Sequence, residues 1–157
     1  MIESRHKDAV TQTGAQNALL DYWSSLSQGD DLPKRSAFDP GAVIRYLGQI
    51  TVLEANEGGE LTCRLESTAM KTRVPYLDVQ SNPKLGLYAI LEKRCPVMGM
   101  EPTQHGAHHW LRLPLLSNCG KRLVILCHDE FIIERHKLAS DPTCAAHLSS
   151  HIAEVAA

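Results

Sequence analysis

The stretch Leu123-Val124-Ile125-Leu126-Cys127 is apolar at every position, and it decides how the chain is layered. Side chains of a β-strand point alternately to opposite faces, so a strand of this composition belongs in a sheet that is covered on both faces. Upstream, apolar and aromatic side chains recur at helical spacing, which predicts an amphipathic helix as the cover of the outer face. The members of this stripe are Ala15, Leu19, Tyr22, Trp23 and Leu26.

The remaining strands follow from alternating or continuous apolar runs between turn residues. The segment Asn56-Glu57-Gly58-Gly59 predicts a hairpin turn, because glycine readily adopts the positive φ that tight turns need. In the strand after it, Leu61, Cys63 and Leu65 alternate with polar residues, which predicts one wet face. The predicted strands are 49–55, 60–66, 95–101, 107–117 and 121–132.

Three later helices are predicted from an Asx residue followed by proline. The Asx side chain accepts a hydrogen bond from a backbone N–H of the first helical turn. Proline suits the first helical position, because the backbone N–H that it lacks would have no acceptor within the helix. The pairs are Asp39-Pro40, Asn82-Pro83 and Asp141-Pro142, with helices at 40–46, 83–93 and 142–155. The order of helix, two strands, short helices, three strands and helix predicts an α+β fold with an antiparallel sheet.

Length and charge narrow the class of protein. A chain of 157 residues is enough for one ordinary domain. We expect a flexible lead-in at 1–13, the domain at 14–133 and a C-terminal helical extension at 134–157. A net charge of -2 offers nucleic acid or an acidic membrane surface no general attraction, and no run approaches the roughly 20 apolar residues of a membrane helix.

The cysteines and the N-terminus predict a compartment. The five cysteines are an odd number, widely spaced and without a CxxC pair, which favours reduced thiols. The first residues are polar and lack the apolar run of a secretory signal. We therefore expect a cytoplasmic protein.

Short motifs in the first half of the chain resemble a known family. Tyr22-Trp23, then Leu32-Pro33-Lys34-Arg35, then Phe38-Asp39-Pro40 resemble the opening of a bacterial PAS-like domain family. That family is common in alphaproteobacteria and was long known only as a domain of unknown function. Residues 63–69 stand where its "YRL.GT" motif falls, and the likeness extends over about 17–133. The resemblance implies a five-stranded antiparallel sheet with short helices on one face, an N-terminal amphipathic helix and a C-terminal helix.

The resemblance also implies a site. In PAS folds a pocket lies between the sheet and the short helices, and its candidate lining here is Leu65, Leu87, Leu91, Leu113, Ile125 and Cys127. Ser67 replaces a family glycine, and Lys71 to Asp78 replace a glycine-containing segment of the pocket wall, which implies a reshaped or filled pocket. N-terminal helices of PAS domains often pair, so Ala15, Leu19, Tyr22, Trp23 and Leu26 are also candidates for a homodimer interface.

The sequence carries no signature that identifies a cofactor. Haem-binding PAS domains place a histidine on a helix beside the pocket, whereas 68–77 and 83–93 contain no histidine. The cysteine motif that links flavin in light-sensing PAS domains is absent as well. The cofactor is therefore unknown.

The histidines and Cys127 are the candidates for metal binding or nucleophilic chemistry. His105, His108 and His109 could ligate a metal, but His108 and His109 are neighbours in a predicted strand and would point to opposite faces. No adjacent Cys, Asp or Glu completes a ligand set, so surface or half-buried histidines are the favoured interpretation. Cys127 precedes His128 in the same strand and cannot use it as a base, which favours a small core residue over a nucleophile.

The resulting hypothesis is a stand-alone PAS-type sensory or adaptor domain without enzymatic activity. We expect it to act in trans on another signalling protein, because only about 25 residues follow the last predicted strand and they are too few for an output domain. A small ligand in the pocket would gate this interaction. Two alternatives stay open: a small enzyme or carrier that uses His105, His108 or His109, and a structural interaction module with a collapsed pocket. The sequence names neither a ligand nor a partner.

Overall fold

Five antiparallel strands form one sheet in the order β2-β1-β5-β4-β3. The computed structural model describes residues 12–27, 29–68 and 86–134. Its strands are β1 (Ile50–Ala55), β2 (Leu61–Leu65), β3 (Val97–Thr103), β4 (Gly106–Leu116) and β5 (Leu123–Ile133). The helices bounded within these residues include α1 (Gly14–Leu26), α2 (Leu87–Lys93) and the 3₁₀ helices Arg35–Ala37 and Pro40–Gln49. The predicted α+β fold with a five-stranded antiparallel sheet is confirmed.

The apolar strand β5 lies at the centre of the sheet, as its composition predicts. Val124 and Leu126 pack in one cluster with Leu19 of α1. Ile125 and Cys127 point the other way and pack in a second cluster with Leu87 and Ile90 of α2. We call the first surface of the sheet the α1 face and the second the α2 face. Both faces of β5 are covered, and α1 is the outer cover.

Local signals set the ends of the helices. The Thr13 hydroxyl accepts a hydrogen bond from the Gln16 N–H at 3.2 Å and so begins α1. The Asp39 carboxylate accepts one from the Gly41 N–H at 2.9 Å, with Pro40 in the first helical position, which confirms this Asx-proline signal. Helix α2 begins at Leu87 rather than at 83, because Gly86 precedes it in the left-handed conformation at φ 77°. Residues 1–11 of the predicted 1–13 lead-in, the pairs Asn82-Pro83 and Asp141-Pro142 and the C-terminal helix lie outside the described residues.

The predicted alternation in β2 is wrong, and a β-bulge is the reason. The turn itself forms as expected, since Gly59 has φ 80° and its N–H donates to the Asn56 carbonyl at 3.0 Å. Val52 pairs with Leu65 and the next residue, Leu53, pairs with Cys63, so Arg64 is the extra residue of a bulge. An extra residue reverses the parity of everything beyond it. Leu65 therefore lies on the α1 face and is 51% exposed.

No helix in the described part of the chain is long and apolar enough to cross a lipid bilayer.

Candidate functional site

A buried charged network lies on the α2 face of the two central strands. Arg112 of β4 makes two hydrogen bonds to Asp129 of β5, from Nη2 to Oδ1 at 2.8 Å and from Nη1 to Oδ2 at 3.1 Å. His108 Nε2 lies 2.8 Å from the same Oδ1. An ionised carboxylate only accepts hydrogen bonds, so the imidazole donates from Nε2. The His108 ring stacks on Phe131 with centroids 4.3 Å apart. These contacts fix the orientation of all three polar groups.

Arg112 and Asp129 both carry their charge although both side chains are buried. Burial opposes the charge of Asp129, but the Arg112 charge and the hydrogen bonds from His108 and Arg112 outweigh it, and the pKa of Asp129 lies below its ordinary value. Burial likewise opposes the charge of Arg112, and Asp129 raises the Arg112 pKa against it. The two charges neutralise one another. A buried pair of this kind adds little net stability, yet it is costly to break on one side.

Trp110 lies beside this network, and its indole N–H has no hydrogen-bond acceptor among the described residues. The guanidinium carbon of Arg112 is 5.6 Å from the centre of the indole ring. The ring rests on the backbone at Gly86 and Gly99, where a Cβ atom would overlap it. Trp110 is 7% exposed, and no acceptor among the described residues reaches its Nε1. A buried indole N–H normally has a partner, so this donor is suited to an acceptor atom of a ligand.

Cys127 is a core residue, as the sequence favours. It is fully buried and pairs in register with Arg112. Burial raises the pKa of its thiol to about 12, against the opposing charge of Arg112. The thiol therefore stays protonated and is a poor nucleophile. His128 lies on the opposite face of the strand and cannot act as its base.

The structure brings four of the six pocket candidates together. Leu87, Ile125 and Cys127 share the α2-face cluster, and Leu91 packs against it from α2. The other two candidates, Leu113 and Leu65, lie on the α1 face, so their assignment to the pocket is wrong. Leu113 is buried on the α1 face with Leu19, and Leu65 is turned there by the bulge. Binding of a ligand by the four that do meet stays a prediction.

The residues that sequence reasoning missed on this face are polar or aromatic. The candidate Leu113 requires the apolar residues of β4 to face α2, whereas that side is taken by His108, Trp110 and Arg112. One signal could have found them. Arg112 lies inside the apolar run 110–116, and Asp129 follows the apolar run 123–127. When these two strands pair as a hairpin, the two opposite charges come close together.

The helix α1 uses its apolar stripe on its own sheet. Leu19 is fully buried, and Tyr22, Trp23 and Leu26 are partly buried against the same cluster. The Trp23 indole N–H donates to the Pro114 carbonyl at 2.8 Å. The Tyr22 hydroxyl accepts from the Asp39 N–H at 2.9 Å. Ala15 is half-buried. A role of these residues in a dimer stays a prediction.

The histidines at 105–109 do not form a cluster. His105 lies in the β3–β4 turn, His108 on the α2 face and His109 on the α1 face, which confirms the predicted opposite orientation of the last two. Both His108 and His109 are buried, contrary to the expectation of surface or half-buried side chains, because β4 is an inner strand. Within residues 12–27, 29–68 and 86–134, no group of three His, Cys, Asp or Glu is arranged to hold a metal ion.

A second polar patch lies on the α1 face around His128. Its Nε2 is 3.0 Å from Gln49 Oε1, and its ring meets Tyr46 edge-on at 6.3 Å. Burial lowers the pKa of His128, and the nearby carboxylate of Glu130 opposes the shift only in part. The imidazole is therefore neutral at neutral pH.

This lowered pKa predicts an acid-sensitive component of stability. Below about pH 6.5 the unfolded chain takes up a proton at His128 before the folded chain does. We therefore expect the free energy of unfolding to fall as the pH drops from about 6.5, until the pH has passed the pKa of the folded state. Urea titrations at a series of pH values measure this loss. The loss should be smaller in His128→Gln and unchanged in His105→Gln; equal losses in all three proteins would refute the role of His128.

Comparisons with known proteins were made on the whole chain. A family model described as a PAS domain matches residues 11–94, just over half of the chain. A search of curated proteins returned no match. A similar solved structure is the sensor domain of the zinc-responsive histidine kinase CzcS from Pseudomonas aeruginosa. It is 16% identical over 76% of this chain and 99% of that chain, and the TM-score of 0.35 is too low for the likeness to carry an argument.

Proposed function

The chain belongs to the PAS domain family, a family of sensory domains, and from this premise we propose that it binds a small molecule on the α2 face of its sheet. The observation that carries the proposal is the buried indole N–H of Trp110, which no acceptor among the described residues reaches. A ligand atom that accepts this hydrogen bond would satisfy the donor and gain a flat aromatic wall.

The surroundings of Trp110 favour a neutral ligand that carries an acceptor. Arg112 and Asp129 already neutralise one another, so neither offers a full countercharge to an ionised ligand. Leu87 and Ile125 supply apolar surface on the same face. Most small-molecule sites combine an apolar lining with a few fixed polar groups. A carbonyl compound or an aromatic heterocycle has this chemistry.

We propose that the signal passes through the sheet to α1 and on to a second protein in trans. Pro114 lies two residues from Arg112 in β4, and its carbonyl accepts the Trp23 hydrogen bond. A shift of β4 on ligand binding therefore changes a contact that holds α1. Tyr22, Trp23 and Leu26 keep part of their surface exposed after packing on the sheet, which supports a homodimer or partner interface there.

The proposal is one of binding rather than catalysis. The Cys127 thiol is protonated, and the Asp129 carboxylate is engaged by Arg112 and His108, so both groups are poorly suited to attack a substrate or to take up a proton.

We propose a cytoplasmic location, because the exposed thiols of Cys95 and Cys119 suit a reducing compartment. We place the sensory domain at residues 14–133.

Native mass spectrometry of gently purified protein tests the proposal. We expect a retained small molecule, or a compound from a metabolite library that raises the melting temperature, because a ligand at 100 times its Kd stabilises the folded state by about 2.7 kcal/mol. The variant Trp110→Phe keeps an aromatic ring, smaller than indole, but removes the N–H, so it should lose the molecule, while Trp23→Phe should retain it. A module with a filled core would show no retained mass and no thermal shift in any of the three proteins.

A further inference from the structure

A second concavity lies on the α1 face, on the other side of the sheet from Trp110. It is an open cleft of about 300 Å³ beside the edge of the sheet. Val52, Leu65 and Val124 form its apolar surface, and Arg35, Glu54 and Arg64 are among its polar lining. A smaller apolar pocket of about 70 Å³ shares Arg35, Val52 and Leu65 with the cleft. The two therefore adjoin, and the small pocket is also lined by the core residues Leu115 and Leu126.

The bulge in β2 builds this cleft. The extra residue Arg64 lets both Arg64 and Leu65 turn toward the α1 face, where regular alternation would place only one of them. Arg64 Nε reaches Glu54 Oε2 at 3.1 Å on that face. Leu65 stands next to it and is half exposed. The bulge thus places one cation and one apolar side chain side by side at the mouth of the cleft.

The charges around the cleft do not balance. Glu54 is the acceptor for two guanidinium groups, since Arg122 Nη1 also reaches its Oε1 at 3.1 Å. Arg35 lines both the cleft and the small pocket and brings a third positive charge. Two guanidinium groups are paired with the Glu54 carboxylate, and Arg35 adds a third in the lining of the same cleft. Each guanidinium carries five N–H donors, and planar forks of this kind recognise carboxylates.

We propose that this cleft binds a small amphipathic anion, a carboxylate with a short apolar tail. The carboxylate lies between Arg35 and Arg64, where the positive charge is in excess. The tail lies along Val52 and Leu65 and enters the small pocket. This site is separate from the proposed one at Trp110 in position, in charge and in the chemistry of its ligand.

Sodium octanoate is the probe, and its binding is measured by chemical-shift titration of the full chain. We expect octanoate to bind about tenfold more tightly than acetate, which lacks the tail, and about tenfold more tightly than octanamide, which lacks the charge. Arg35→Gln and Arg64→Gln should each weaken octanoate about tenfold. Leu65→Asp should abolish the shifts. Folding is preserved in Arg64→Gln, because exposed ion pairs contribute little to stability.

Arg45→Gln is the matched control, since Arg45 is exposed and lies outside the lining of the cleft. It should leave octanoate binding unchanged. Octanamide binding as tightly as octanoate, or equal weakening by Arg45→Gln and Arg64→Gln, would overturn the proposal. Loss of octanoate binding in Trp110→Phe with no effect of Arg64→Gln would place the anion on the α2 face instead. Failure of the octanoate test leaves the function proposed for Trp110 unaffected, because the two sites share no residue.

Discussion

Replacing Asp129 by alanine is expected to lower the free energy of unfolding by about 3–5 kcal/mol. The substitution leaves the Arg112 guanidinium fully buried without the carboxylate that accepts two of its hydrogen bonds. It also removes the acceptor of His108. The loss of stability arises because a buried charge is left without its countercharge. This loss exceeds the net stability that the intact pair contributes. Urea denaturation measures the change, with the slope m as a check that the unfolded state is unaltered.

Two variants make this prediction sharp. Glu54→Ala removes a carboxylate that also has two side-chain partners, Arg64 and Arg122, but at a more exposed position, and should cost no more than about 1 kcal/mol. The double variant Arg112→Leu with Asp129→Leu removes both buried charges and should recover most of the loss. A loss in Asp129→Ala no larger than that in Glu54→Ala would contradict the buried network. A double variant as unstable as the single would show that packing, not charge, carries the effect.

Leu19→Ala is expected to cost about 2–5 kcal/mol, which is the range for truncating a fully buried leucine. Leu19 of α1 is fully buried in the α1-face cluster, which also contains Leu113 of β4 and Val43 of the 3₁₀ helix Pro40–Gln49. Its removal leaves a cavity that the rigid sheet cannot close. The melting temperature and the urea midpoint should both fall.

The same variant separates packing within one chain from a dimer interface. Because Leu19 is buried by its own sheet, the loss of stability should not change when the protein concentration is varied roughly a hundredfold. Ile44→Ala is the control, since Ile44 is 68% exposed and its truncation should change stability by no more than about 0.5 kcal/mol. A loss that shrinks on dilution would show that Leu19 lies between two copies of the chain, because dilution dissociates a dimer.

Local patterns predict the layers of this fold well. The run 123–127 requires cover on both faces, and it receives α1 on one and α2 on the other. Asp39-Pro40 and the glycines after Asn56 predict a helix start and a turn, because the signal and its hydrogen bond lie within a few residues of each other. Such features depend on short-range chemistry, which the sequence contains in full.

The pairing between strands is where sequence reasoning fails. The bulge at Arg64 is invisible in the apolar alternation of β2, yet it moves Leu65 to the other face. In β4 the apolar residue Leu113 is a pocket candidate by composition, yet it lies on the α1 face. That side holds Arg112 because Asp129, seventeen residues later, neutralises it across the hairpin. The site at Trp110 depends on this long-range pair and on two glycines that admit the ring.

The most direct test of the account follows the two indole N–H groups of protein labelled with ¹⁵N-tryptophan. Trp23 is bonded to the Pro114 carbonyl, whereas Trp110 has an open donor on the α2 face. Trp23→Phe assigns the two signals. Protein refolded from urea, to release any retained molecule, is titrated with a low-molecular-weight extract of bacterial cells. We expect the Trp110 signal to move downfield when its N–H donates to an acceptor of the ligand. A Trp110 signal that stays in place, while the folded protein is otherwise intact, would contradict it.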